Sequence, residues 1–154
     1  MLKKKIFLIF FLVVGVLSSC KKDKYDADKQ MATDDGIIKE FITKNSIVAV
    51  KHSSGIYYQV LSPGAGVEVT NSDIITVSYE GRLLNGNVFD KSTSYTSRLG
   101  VFITGWQIGI PLIKKGGKIR LLIPSPLAYK NQSPGAGIPE NAVLDFTVEL
   151  LNVQ

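Results

Sequence analysis

Apolar residues recur along this chain in three rhythms. Near the start, Ile6 to Leu17 is an unbroken apolar run of twelve residues behind Lys3, Lys4 and Lys5. Further on, Ile37, Ile38, Phe41 and Ile42 have helical spacing behind Asp34-Asp35-Gly36, where an aspartate suits the N-cap. Asn45 ends this helix after about ten residues, too few to persist alone, so its apolar face must dock on something. Beyond Gly55 the rhythm becomes alternation. Gly55 to Leu61 is β-branched and aromatic, and Ser62-Pro63-Gly64-Ala65-Gly66 turns it. In Ile74 to Leu83, Ile75, Val77, Tyr79, Gly81 and Leu83 share the inward parity, leaving Thr76, Ser78, Glu80 and Arg82 outside.

Asn85-Gly86-Asn87 makes a hairpin turn, followed by Val88-Phe89-Asp90 and a polar loop from Lys91 to Ser97. A second apolar run stops at Gly105, and the chain's one tryptophan, Trp106, opens a short helix. Pro111, lacking an N–H, shortens or distorts that helix, and Gly116-Gly117 caps it. Lys118 to Ile123 alternates, with Ile119, Leu121 and Ile123 inward. Pro124 to Glu140 is a long Pro- and Gly-rich loop whose one bulky aromatic is Tyr129. Val143 to Val153 alternates again, with Phe146, Val148 and Leu150 facing in. The elements make an α+β fold, an antiparallel five- to six-stranded twisted sheet wrapped around one short central helix.

The opening run is too short for the roughly 20 residues that span a bilayer. With its lysines it reads as a leader over residues 1–19. Leu17-Ser18-Ser19-Cys20 resembles the lipobox of bacterial lipoproteins, which implies acylation of Cys20, the sole cysteine. Residues 20–31, charged and without apolar period, then read as a lipidated tether, 32–52 as a short helical stub and linker, and 53–154 as the main domain. Lys21 and Lys22 follow the cysteine in place of an inner-membrane retention aspartate. The expected location is the cell envelope, lipid-anchored on the outer membrane, at its periplasmic or surface face.

The formal net charge is +5, from 18 basic and 13 acidic residues. Removing the three leader lysines leaves 15 basic against 13 acidic, a net of +2 with no basic cluster on any patterned segment. That excludes an electrostatic footprint for nucleic acid. His52 is the only histidine and lies in a polar linker, so the usual zinc ligand sets and histidine-based triads are excluded. No cofactor or metal is called for. From its own stretch, Trp106 reads first as buried core, with the floor of an apolar pocket as the alternative.

A set of short motifs in order decides between those readings. Val77-Ser78-Tyr79-Glu80-Gly81, Val88-Phe89-Asp90, Ile103-Thr104-Gly105-Trp106, Gly116-Gly117, Leu127-Ala128-Tyr129, Gly137-Ile138-Pro139 and Phe146 to Leu151 together resemble the FKBP-type peptidyl-prolyl isomerases. With the lipobox, the chain resembles bacterial lipoprotein members of that family. The resemblance implies a pocket of Tyr79, Phe89, Asp90, Ile103, Trp106, Tyr129 and Phe146 as catalytic residues, with Phe102, Ile138 and Tyr95 binding substrate. Trp106 would be the floor under the proline ring, and Gly105 would let the strand turn into the helix above it. Ile103 would offer its backbone N–H and Tyr129 its hydroxyl to the peptide, and Asp90 would polarise the site.

The implied partners are proline-containing polypeptides and macrolide inhibitors, with the membrane engaged through Cys20. The family's dimerising members have a longer helical extension, so a monomer is expected. Three departures stand out. The stretch between Asp90 and Ile103 is shorter than in the best-known members, so its aromatic wall comes down to Tyr95 or is absent. The family's glycine after Ala-Tyr is Lys130, and Pro139-Glu140 ends the late loop. The alternative function is a proline- or apolar-peptide binding module, or a holdase with little turnover.

Overall fold

The computed structural model describes residues 24–135 and 137–154. The leader expected over residues 1–19 and the acylation expected at Cys20 fall outside the described residues. Six strands form one antiparallel sheet: β1 (Val50–Lys51), β2 (Tyr57–Ser62), β3 (Ile74–Leu83), β4 (Val88–Arg98), β5 (Lys118–Ile123) and β6 (Leu144–Val153), in the order β1-β2-β5-β6-β3-β4. Two helices accompany it, α1 (Ala27–Lys44) and α2 (Thr104–Gly109).

The pleat sends alternate residues to opposite faces, so the register sorts the side chains in rows. Tyr58, Leu121, Phe146, Gly81 and Asp90 stand side by side across β2, β5, β6, β3 and β4. This row belongs to the face that carries the larger core cluster, with Ile75, Val77, Trp106, Ile119 and Leu150. The neighbouring row, Tyr57, Leu122, Asp145 and Arg82, turns the other way. There Tyr57 and Leu122 join Val143 and Ile38 of α1 in a second, smaller cluster. The short central helix covers one face and α1 the other.

α2 lies on β5 through glycine. A Cβ at Gly105 would sit 2.5 Å from Cγ2 of Ile123, and one at Gly109 would sit 2.5 Å from Cδ2 of Leu121. The two glycines are four apart and so share one side of the helix. Gly105 is therefore required by close packing and not, as expected, by a sharp turn from strand to helix. At Pro111 the helix passes into a 3-10 turn, Ile110–Leu112, as the missing N–H predicts. It ends at Ile113. Gly116 (φ +82°) and Gly117 belong to the next turn, so they do not cap the helix.

Other bounds also differ from expectation. α1 starts at Ala27, with Asp26 as N-cap accepting from the N–H groups of Asp28 and Lys29. It runs 18 residues, so the tether expected over 20–31 gives way to helix before Met31, and Asp34 lies inside the helix. Within α1 the only large apolar residue before Ile37 is Met31, packed at Gly55, which leaves no periodic pattern there. The polar stretch 91–97 is strand, not loop, because β4 runs unbroken from Val88 to Arg98. His52 is half-buried, its Nδ1 bonded to Ser54.

Candidate active site

Two bulges in β4 shape the site. Arg82 pairs with Val88 and Gly81 with Asp90, so Phe89 is an extra residue; Tyr79 pairs with Ser92 and Val77 with Tyr95, so a second extra residue falls between them. Each bulge resets the parity, which brings Asp90, Ser92 and Tyr95 onto the face of Tyr79 and Phe146. Gly81 completes this corner. A Cβ there would lie 2.6 Å from both Phe146 Cε1 and Phe89 Cζ, so only glycine lets the two rings meet over the strand, edge to face at 5.4 Å.

The rings gather around Trp106, which is 3% exposed. Tyr79 and Phe146 approach it edge-on, at 5.1 and 5.2 Å between centroids, and Phe102 is tilted over it at 4.8 Å. Tyr95 stands edge to Phe102 at 5.9 Å and to Tyr79 at 6.4 Å. The resulting cavity, about 600 Å³, is bounded by Tyr79, Asp90, Tyr95, Phe102, Ile103, Trp106, Tyr129 and Phe146, with Lys91, Ser92 and Val101 at its rim. Its dimensions suit a small ring with flanking peptide.

Polar groups are few. The Tyr79 hydroxyl donates to Asp90 Oδ2 at 2.7 Å. Burial first, then the hydrogen bond and the charge of Asp90, push the Tyr79 hydroxyl pKa up. Burial, then Asp90, does the same for Tyr129. Both phenols stay protonated at neutral pH; the Tyr79 proton is held by Asp90, and that of Tyr129 is available to a ligand. Among the described residues the Ile103 N–H has no acceptor, since this residue precedes the first turn of α2. The Trp106 Nε1–H is buried and likewise unpartnered. No three His, Cys, Asp or Glu side chains come together as a metal site among the described residues.

The family profile described as FKBP-type peptidyl-prolyl cis-trans isomerase matches residues 66–151, over half of the chain. The chain belongs to that family. A probable FKBP-type peptidyl-prolyl cis-trans isomerase FkpA of Neisseria meningitidis is 37% identical over 147 residues, covering 93% of this chain and 53% of the relative. FkpA of Escherichia coli is 44% identical over 106 residues, 66% of this chain and 39% of its own length. The chain thus spans about half or less of these curated relatives. The crystal structure of Escherichia coli FkpA superposes with a TM-score of 0.71 at 39% identity, covering 83% of this chain and 62% of that one. A peptidyl-prolyl cis-trans isomerase from Pseudomonas syringae gives 0.69 at 28% identity, covering 85% and 98%.

Of the FKBP-type site residues expected from sequence, eight meet in one cavity: Tyr79, Asp90, Tyr95, Phe102, Ile103, Trp106, Tyr129 and Phe146. Tyr95 is thus present as a wall, supplied by β4. Phe89 and Ile138 line an adjoining hollow of about 300 Å³, which shares Asp90, Tyr129 and Phe146 with the first. Sequence reasoning missed Gln107, whose Nε2–H groups reach the carbonyls of Phe102 (2.7 Å) and Gly100 (3.2 Å) and fix the Phe102 wall to α2. Glutamine next to Trp106 carried no signal of that contact.

Proposed function

We propose that the chain accelerates cis–trans isomerisation of Xaa-Pro bonds in exported polypeptides, held as a monomer on the envelope membrane by an acyl group on Cys20. Rotation about the prolyl amide meets a barrier of roughly 18–20 kcal/mol and takes tens to hundreds of seconds unaided. No bond breaks, so no nucleophile or general base is needed. The twisted amide is less dipolar than the planar one, so a dry aromatic cavity favours it relative to water.

The observation that carries this reading is the aromatic cavity over buried Trp106, with Tyr79, Asp90, Tyr129 and the Ile103 N–H at its edge. The proline ring sits on the indole, the Ile103 N–H and Tyr129 hydroxyl hold flanking carbonyls, and Asp90, oriented by Tyr79, faces the rotating amide. The adjoining hollow at Phe89 and Ile138 takes a neighbouring substrate residue.

A protease-coupled assay on a short Xaa-Pro-Phe peptide should show turnover well above the uncatalysed rate. Turnover at background with peptide binding intact would leave a binding module instead. Phe89→Ala and Trp106→Leu should reduce kcat/KM more than they reduce stability to urea. Trp106 is the only tryptophan, so macrolide binding should quench the protein's indole fluorescence. Radioactive palmitate should label the wild type and not Cys20→Ser.

A further inference from the structure

The loop that presents Tyr129 is fastened to α1 by a buried carboxylate. Asp34, in the middle of α1, is 0% exposed. Its Oδ2 accepts from both the backbone N–H (2.7 Å) and the hydroxyl (2.6 Å) of Ser125, 91 residues away in sequence. Its Oδ1 accepts from Gln30 Nε2 at 2.7 Å, one turn earlier in the helix. The hydroxyl of Tyr25 is buried against the same pair. A buried carboxylate is tolerated when its oxygens are filled by donors, and hydrogen bonds to a charged acceptor are stronger than neutral ones.

Ser125 is also the hub of the loop. With both of its donors turned to Asp34, its carbonyl accepts the N–H of Ala128 at 3.0 Å and of Lys130 at 2.8 Å. These are the two residues flanking Tyr129. Lys130 is held at φ +58°, in the left-handed region, and its own carbonyl accepts the Asn141 N–H at 2.8 Å. The backbone on either side of Tyr129 therefore hangs from one carbonyl, whose residue is fixed by Asp34.

We infer that Asp34 is a positioning residue for the isomerase site: through Ser125 it sets where the Tyr129 hydroxyl stands in the cavity. α1 lies outside the segment matched by the family profile, residues 66–151, so this is a contribution of the N-terminal helix to a site built elsewhere. The inference rests on the isomerase reading for its kinetic consequence and on the geometry alone for its structural one.

The test uses Asp34→Ala, Asp34→Asn and Tyr129→Phe, singly and combined, in the full chain. Asparagine keeps one acceptor oxygen for Ser125, whereas alanine leaves both Ser125 donors buried and unpaired. With the sheet intact by amide exchange, Asp34→Ala should lower kcat/KM about tenfold, on the scale of one lost charge-assisted hydrogen bond. Asp34→Asn should recover most of that loss. Tyr129→Phe should add little in the Asp34→Ala background, because the hydroxyl is already displaced. The Ala128 and Lys130 amides should exchange about tenfold faster in Asp34→Ala while those of β3 and β6 do not. Unchanged exchange at these two amides overturns the inference, even if the wild type shows no turnover and the isomerase reading has failed. With turnover present, wild-type kcat/KM in a folded Asp34→Ala, or losses that multiply with Tyr129→Phe, overturns it too.

Discussion

Lys130 shows how one residue can break a family pattern without breaking the structure that the pattern serves. FKBP-type sequences carry glycine after Ala-Tyr, and the backbone here still asks for it, since Lys130 takes φ +58°. A side chain in that region costs roughly 1–2 kcal/mol, and glycine gives back part of this through its more flexible unfolded chain. Lys130→Gly should therefore raise stability by about 0.5–1 kcal/mol, read as a higher urea midpoint with an unchanged slope. A lower midpoint would mean that the lysine side chain makes a stabilising contact outweighing the strain. The residues of the cavity are mostly legible in sequence because most are aromatics in, or close to, short motifs that occur in a fixed order. Gly81, Gln107 and Asp34 carry no such signal. Their work lies in contacts with residues far away or out of phase, and no local pattern records the ring that needs a glycine's space or the serine that needs a carboxylate.

At the scale of elements, periodicity found strands wherever one face is buried and the other wet, as in β3, and failed where that contrast is missing. β4 is exposed along most of its length and is bulged twice, so its polarity read as a loop. The first half of α1 is polar, and its boundary was set by Asp26, a cap that pattern alone did not single out. What attaches α1 to the sheet edge is partly electrostatic. Asp35 accepts from the Tyr57 hydroxyl of β2 at 2.7 Å and pairs with Lys51 of β1 at 2.6 Å and Lys39 at 2.7 Å. Lys39 first, then Lys51 and Tyr57, hold its carboxyl well below the usual carboxylate range. A depressed carboxylate adds stability that is complete above its unfolded value, about 4, and is lost as pH falls. Tyr57 is the converse case. Burial first, then the hydrogen bond and charge of Asp35, raise its pKa, so its contribution is complete below about pH 10 and fades above. Urea midpoints measured against pH should fall at both ends, and Asp35→Asn should flatten the acid limb. An unchanged acid limb would show that other carboxylates carry it.

For the whole molecule, the sheet is a partition between two packed layers of unequal strength. One face holds the larger cluster with α2 and the cavity, and rows of β5, β6 and β3 side chains lock into it. The other is covered by α1, whose one fully buried apolar side chain among the described residues is Ile38, against Tyr57, Leu122 and Val143. A helix attached by a small cluster and a few polar ties opens at a lower free energy than the sheet it covers. Amide exchange should therefore show α1 opening as a separate unit, before β3 and β6. Ile38→Ala, at about 2–5 kcal/mol for a buried branched side chain, should nearly abolish protection in α1 and leave β6 protected. Loss of protection in both together would place α1 inside the global cooperative unit. Because Asp34 lies one turn before Ile38 on α1, the same substitution should also loosen the Ala128 and Lys130 amides, which hang from Ser125. Opening of α1 then releases the Ser125 hub, so the order of the Tyr129 loop should follow the docking of the helix.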